Sequence, residues 1–355
     1  MTIMWINLTL VYMFSSLSRY FSKPLSLTSN FVKPNKLFVF FAITSLVVVS
    51  GLRNNIGDTG SYMHSYSIKS FNLENINYLG DFGFDMLQMI LQLFSSDPQL
   101  LIIFTAVTTN LLIAMSLYKY SRMFEISLYV YITAGMFTTS MNGIRQYLAA
   151  AIIFSATKYL LNGNFKKYFL IVLIASTFHK SALVLIPIYF IVRREAWTKV
   201  TFFLLFISII IVISFNQFSE LLFATLDSTQ YGHYSDFSEG GANFIRVAVN
   251  ATPIIIAFFG RHKLRELWPK SDYIVNLSII SAMFIIISTQ NWIFARFNIY
   301  FDLYNLILIS WIAMLFKERN KKFICYGILV LYFCYYYYEH VITYGLVYKS
   351  NYLNF

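Results

Sequence analysis

The chain has 355 residues, of which 58% are hydrophobic, 19% aromatic and only 12% charged, and its formal net charge is +11. Ordinary soluble domains carry roughly 25% charged residues, so this composition excludes a soluble globular class and indicates a membrane protein. Apolar segments recur along the whole chain and leave no room for a separate soluble domain. Helices satisfy every backbone polar group within lipid, so the expected fold is all-α: one polytopic helical bundle over residues 1–355.

In chain order, transmembrane spans are expected at residues 2–18, 37–52, 99–118, 126–141, 144–161, 168–179, 181–192, 199–216, 244–260, 273–289, 294–316 and 323–340, about twelve in all. The first apolar run, Met4 to Leu17, has no basic residue before it, while Arg19, Lys23, Lys33 and Lys36 follow. That charge order is the reverse of a secretory signal, and the run is expected to stay as an anchor with its N-terminus outside. The outer loop 53–98 contains a segment, 84–94, that is too short to cross. It places Phe84, Leu87, Ile90, Leu91 and Phe94 on one face, with Asp85, Gln88 and Gln92 opposite, and is expected to form a re-entrant or interfacial helix.

The pair 168–179 and 181–192 is also short, roughly 18 Å of helix each against a hydrocarbon core of about 30 Å. The turn Phe178-His179-Lys180-Ser181 is therefore expected below the outer surface, where a polar turn must be buried in protein or line a cavity. In the last span, Cys325 and Cys334 have no histidine or carboxylate at ligand spacing and read as packing residues, while Tyr335 to Tyr338 read as an interface belt. With both termini outside, twenty of the 27 Lys and Arg residues fall on the cytoplasmic side. This agrees with the positive-inside rule, so the basic balance needs no nucleic-acid partner.

Five of the remaining basic residues, Arg53, Arg145, Lys180, Arg246 and Arg296, fall at or just inside the outer end of a span. Any one of them could snorkel to the headgroups. Five at one level point instead to an outward-facing cavity that binds an anion, and arginine's planar fork suits phosphate oxygens. At the same level lie the candidate carboxylates Asp58 and Asp302, then Asn142 and Gln146 flanking Arg145, and Tyr300 one turn from Arg296. His179 is either a structural residue or an acid/base or phosphate-binding group. Asp58 either caps the turn 56–60 or does chemistry, and Asp302 balances a buried charge. The chain has no paired metal carboxylates, no phosphate-binding Gly-Lys-Ser/Thr loop and no Gly-x-Ser-x-Gly, so neither a metal nor a cofactor is expected.

The stretches "GLRNNIGDTGSY", "GDFGFDMLQMILQLF", "NGIRQYLAAAIIFSATKYL", "STFHKSALVLIPIYF" and "FARFNIYF" occur in this order between about residues 37 and 316. The series resembles the EpsG family of bacterial exopolysaccharide and capsule proteins, regarded as polysaccharide polymerases of the Wzy type. The resemblance implies a glycosyltransferase that moves a growing glycan from undecaprenyl pyrophosphate onto a lipid-linked oligosaccharide repeat unit. The expected location is the outer face of the bacterial cytoplasmic membrane, with a chain-length regulator and a flippase of the same pathway as protein partners. The matched polar positions are Arg53, Asp58, Tyr62, Arg145, Gln146, His179, Ser181, Arg296 and Tyr300, with Arg246 beside them.

For such a reaction, arginines stabilise the pyrophosphate leaving group without a metal, and a base orients the acceptor hydroxyl. His179 is the first candidate for the base and Asp58 the second; with Arg145 and Arg296 they form the expected catalytic set. Arg53, Arg246, Gln146, Tyr62, Lys180 and Tyr300 are expected to bind substrate. The outer loop 216–243, with Glu220, Asp227, Asp236 and Glu239 among Tyr231, His233, Tyr234 and Phe237, reads as a lid over glycan or as a solvated loop. The rival functions are an O-antigen ligase, a lipid-linked oligosaccharide flippase and a membrane acyltransferase.

Overall fold

The computed structural model describes residues 1–24, 32–74, 76–226 and 240–353. Apart from one antiparallel pairing of Lys23–Pro24 with Val32–Lys33, its regular structure is helical. A helix lies on each of the twelve segments expected to span. Their lengths do not give twelve crossings, however. Among the described residues two helices are long and apolar enough to cross a membrane, Gln99–Tyr120 and Ile293–Leu315, and up to four segments qualify if each of two sharply bent pairs counts as one. The physical reason is fragmentation: most of the other apolar helices have 10–17 residues, short of the roughly 20 that a straight crossing needs.

In chain order the helices are α1 Thr2–Tyr20, α2 Lys36–Gly51, α3 Thr59–Ile68, α4 Phe82–Gln92, α5 Gln99–Tyr120, α6 Phe124–Thr133, α7 Met136–Asn142, α8 Ile144–Ser155 and α9 Thr157–Leu161. There follow α10 Phe165–Phe178, α11 Leu185–Val192, α12 Lys199–Ile213, α13 Phe215–Leu226, α14 Phe244–Phe259, α15 Arg261–Leu267, α16 Ser271–Ile287, α17 Ile293–Ile312 and α18 Glu318–Tyr336. The expected span 126–141 is broken into α6 and α7 by Gly135, whose φ of +84° is a left-handed conformation that only glycine adopts freely. The loop expected at 216–243 begins instead as a helix, since α13 runs to Leu226 and bends 95° away from α12. The remaining lid residues Asp227, Tyr231, His233, Tyr234, Asp236, Phe237 and Glu239 lie outside the described residues.

The centre of the molecule is α17, buried along nearly its whole length and packed against α16, α6, α8 and α14. A helix buried on all sides belongs inside a bundle, and α17 and α16 are both buried along most of their length. α18 continues into a π-helical stretch, Tyr337–Thr343, which carries Glu339 and His340 into the interior, where both are buried. Such wide turns recur at functional sites. Tyr335 and Tyr336 are buried as well, so the tyrosine run is not simply an interface belt; only Tyr337 of its members is strongly exposed.

The short helix expected at 84–94 exists as α4, but it is rotated relative to the expected face. Phe84, Gln88 and Leu91 are buried, whereas Ile90 and Phe94 are exposed. Its packing explains the rotation. A Cβ on Gly83 would lie 2.2 Å from Thr177 Oγ1 and 3.0 Å from the Thr177 backbone, so α4 meets the end of α10 backbone to backbone and needs glycine there. That approach sets the residue before α4, Asp81, beside the residue after α10, His179.

Candidate active site

A cavity of about 610 Å³ is walled by the turn at 56–58, by α7 and α8, by α14 and α17, and by the π-helical end of the chain. Asp58, Tyr62, Arg145, Gln146, His179, Arg246 and Arg296 all line it. The sequence thus led to seven side chains that converge from six separate segments.

Their environments differ. His179 follows α10 in an extended conformation, and its Nδ1 lies 3.0 Å from Asp81 Oδ2. The same carboxylate oxygen accepts a hydrogen bond from Arg145 Nη1 at 3.1 Å, and Asp81 Oδ1 accepts one from the backbone N–H of Lys180 at 3.0 Å. Burial alone would raise the Asp81 carboxyl, but the His179 hydrogen bond and charge, the Arg145 guanidinium and the Lys180 N–H together hold it below the usual carboxylate range. Whenever His179 carries a single ring proton, an ionised Asp81 holds that proton on Nδ1 and so presents Nε2 as an acceptor. Nε2 makes no hydrogen bond to the described residues.

Arg145 also donates from Nε to the Tyr62 hydroxyl at 3.3 Å and stands over the Tyr62 ring. Its side chain stays 42% exposed, which leaves donors for a ligand. Arg296 lies over the Trp292 ring at 4.8 Å, and its carbonyl accepts a hydrogen bond from Gln146 Nε2 at 2.8 Å. Asp58 is exposed; its backbone N–H donates to Asn142 Oδ1 at 2.9 Å, and its side chain makes no capping bond to α3.

Three expected substrate ligands are placed elsewhere. Arg53 is 1% exposed and does not line the cavity. Its guanidinium is consumed internally, by Thr59 Oγ1 at 3.0 Å, by the Met141 carbonyl at 2.7 Å and by the Ser50 carbonyl. A buried charge must find partners, and here they are one hydroxyl and two backbone carbonyls, the carbonyls tying the end of α2 to α7. Lys180 contributes its backbone N–H rather than its ammonium to the site. Tyr300 is buried behind the wall, 2.9 Å from the Ser181 hydroxyl, and braces the His179 turn.

Arg246 does line the cavity, but it forms a short ion pair with Glu339 and donates to the Tyr344 hydroxyl at 2.7 Å. Glu339 Oε2 and His340 Nδ1 are buried without hydrogen-bond partners among the described residues. Asp302 accepts hydrogen bonds from the amides of Asn250 and Asn305 at 3.0 Å each, and the charge of Arg246 acts on it as well.

A family model describing the EpsG family matches residues 36–354. The chain belongs to the EpsG family. Membership supports the general role of polysaccharide polymerase, of a glycosyltransferase type, and together with the apolar helices it marks a membrane protein. No curated protein and no solved structure matches the chain.

Sequence reasoning missed Asp81, Glu339 and His340. Asp81 had a signal, since it sits in "GDFGFD", a pair of glycines around an acid at the mouth of a short helix. Glu339 and His340 had a weaker one: they are adjacent ionisable residues at the end of the last apolar run.

Proposed function

We propose that this EpsG-family chain transfers a growing glycan from undecaprenyl pyrophosphate to a lipid-linked repeat unit, with the cavity facing the outer side of the bacterial cytoplasmic membrane. The observation that carries this reading is the cluster at the cavity wall, where Asp81 holds His179 by Nδ1 beside a half-exposed Arg145. His179 Nε2 takes the proton of the acceptor hydroxyl as its oxygen bonds to the anomeric carbon. The bond from that carbon to the phosphate oxygen breaks in the same step, and the pyrophosphate leaves with both electrons. Arg145 and Arg296 offset the charge that develops on it, so no divalent ion is required for the step.

The outward orientation rests on the excess of Lys and Arg expected at the opposite helix ends. Tyr62 and Gln146 hold Arg145 and the backbone of Arg296 in place. The test is reconstitution of the purified chain into proteoliposomes that hold only lipid-linked repeat units, with product length read on a gel. Longer glycans, formed equally in excess chelator, are expected. Unchanged glycan length with movement of the lipid across the bilayer would replace this function by transport.

A further inference from the structure

On α17, Asn298, Asp302 and Asn305 follow one another at i, i+4 and i+7, which puts a polar stripe on one face of an otherwise apolar, buried helix. All three line the cavity, and α14 adds Asn250 to the same wall. None of the four takes part in the chemistry assigned above. Polar groups inside a membrane protein are costly unless they are paired or serve a site.

The pairing here is one-sided. Asn250 Nδ2 and Asn305 Nδ2 each donate to Asp302 Oδ1 at 3.0 Å, and they also reach Ser281 Oγ at 3.1 and 3.2 Å. The bond to the carboxylate fixes the Asn305 amide, because a turned amide would set oxygen against oxygen. Asn305 Oδ1 is then left without a partner, and so is Asn298 Oδ1; the two residues are only 2% and 3% exposed. Asp302 Oδ2 also receives no hydrogen bond from the described residues. The Asn250 and Asn305 donors are spent within the cluster, and beside the Asn298 amide what remains are acceptors.

We propose that the Asn298–Asp302–Asn305 face is a sugar-binding subsite that accepts hydrogen bonds from the hydroxyl groups of one pyranose of the glycan, built from residues other than the His179 centre. A hydroxyl donates to the unpaired oxygens and accepts from the Asn298 amide N–H. A bare cation fits less well, since it takes oxygen ligands only and would meet that N–H. Tyr147, Trp292, Tyr332 and Tyr335 line the same cavity and offer apolar ring faces for the C–H side of a sugar. The inference rests on the glycan-transfer reading for the class of ligand, but its test does not depend on catalysis.

The test is saturation-transfer NMR on the detergent-solubilised full chain, with glucose, galactose, rhamnose and N-acetylglucosamine titrated separately. At least one should bind the native protein. Asp302→Asn can still accept the bonds of Asn250 and Asn305, and Asn298→Ala removes an oxygen that bonds nothing, so both variants should fold. Each should raise the apparent Kd at least about tenfold, the loss of roughly one buried hydrogen bond to the ligand, while His179→Ala should leave sugar affinity unchanged. Three results would each overturn the proposal: no binding of any of the four sugars, native affinity in both variants, or a melting temperature raised by sodium but not by choline in the native protein and insensitive in Asp302→Asn. Sugar binding that survives in His179→Ala alongside undiminished elongation by that variant would instead overturn the transfer mechanism and leave the subsite standing.

Discussion

Two charged clusters face each other across one cavity, and they use the same residue types in opposite ways. At the first, Asp81 gathers His179, Arg145 and a backbone N–H, and every oxygen of the acid is engaged while His179 Nε2 and part of the Arg145 fork are left for a ligand. At the second, Arg246 is bound to Glu339 and Tyr344, and it ties α14 to the π-helical end of the chain. In the proposed mechanism the first cluster orients a base and the second holds a wall. Position at a membrane level does not tell a ligand from a strut, but the partner list of each side chain does.

The comparison can be broken at its strong side first. Asp81→Asn keeps the shape of the residue but no longer fixes the His179 tautomer, and elongation should fall about 100-fold, roughly 2.7 kcal/mol of transition-state stabilisation. Stability adds a check of sign. Because the folded Asp81 carboxyl lies below its ordinary value, it contributes stability above the usual carboxylate range and loses it as pH falls through the lowered folded value. The gap in melting temperature between the native protein and Asp81→Asn should therefore narrow from neutral pH to about pH 3; a gap that widened on acidification would contradict the assigned ionisation.

Next come the arginines. Arg145→Lys and Arg296→Lys keep the charge but lose the fork, and each should lower polymer yield by roughly tenfold, about 1.4 kcal/mol, in a normally inserted protein. Full activity in both would return them to the class of snorkelling residues. On the weak side, Glu339→Ala should unfold at lower temperature, at a cost of up to about 3 kcal/mol, since Arg246 is still 28% exposed and water softens the loss. Arg246→Lys should retain activity within about threefold, the smallest effect of the series. A tenfold loss there, without loss of thermal stability, would move Arg246 from the wall to the chemistry.

Much of this arrangement was legible in the sequence, because helices in lipid must be apolar and their exceptions stand out. His179, Arg145 and Arg296 were found as such exceptions, and the cavity brings them together. Arg53 passed the same filter and lies elsewhere, because spacing along the chain cannot show that the carbonyls of Ser50 and Met141 would claim its guanidinium. Asp81 escaped because it sits in an outer loop, where acids are common; what makes it special is the Gly83 contact between α4 and α10, a pairing of elements far apart in sequence. The helix lengths do not confirm twelve crossings, for a related reason. Apolar runs mark where helices form, whereas Gly135 and the bends after Ile213 and Phe259 decide how far each one continues.

The central claim is that His179, held by Asp81, is the base of chain growth. The most direct measurement compares native protein and His179→Ala in proteoliposomes charged with the lipid-linked repeat unit, scoring glycan length and, in parallel, retention of the glycolipid by the purified protein. The account predicts bound glycolipid in both and polymer in the native protein alone. Polymer of native length from His179→Ala would contradict it.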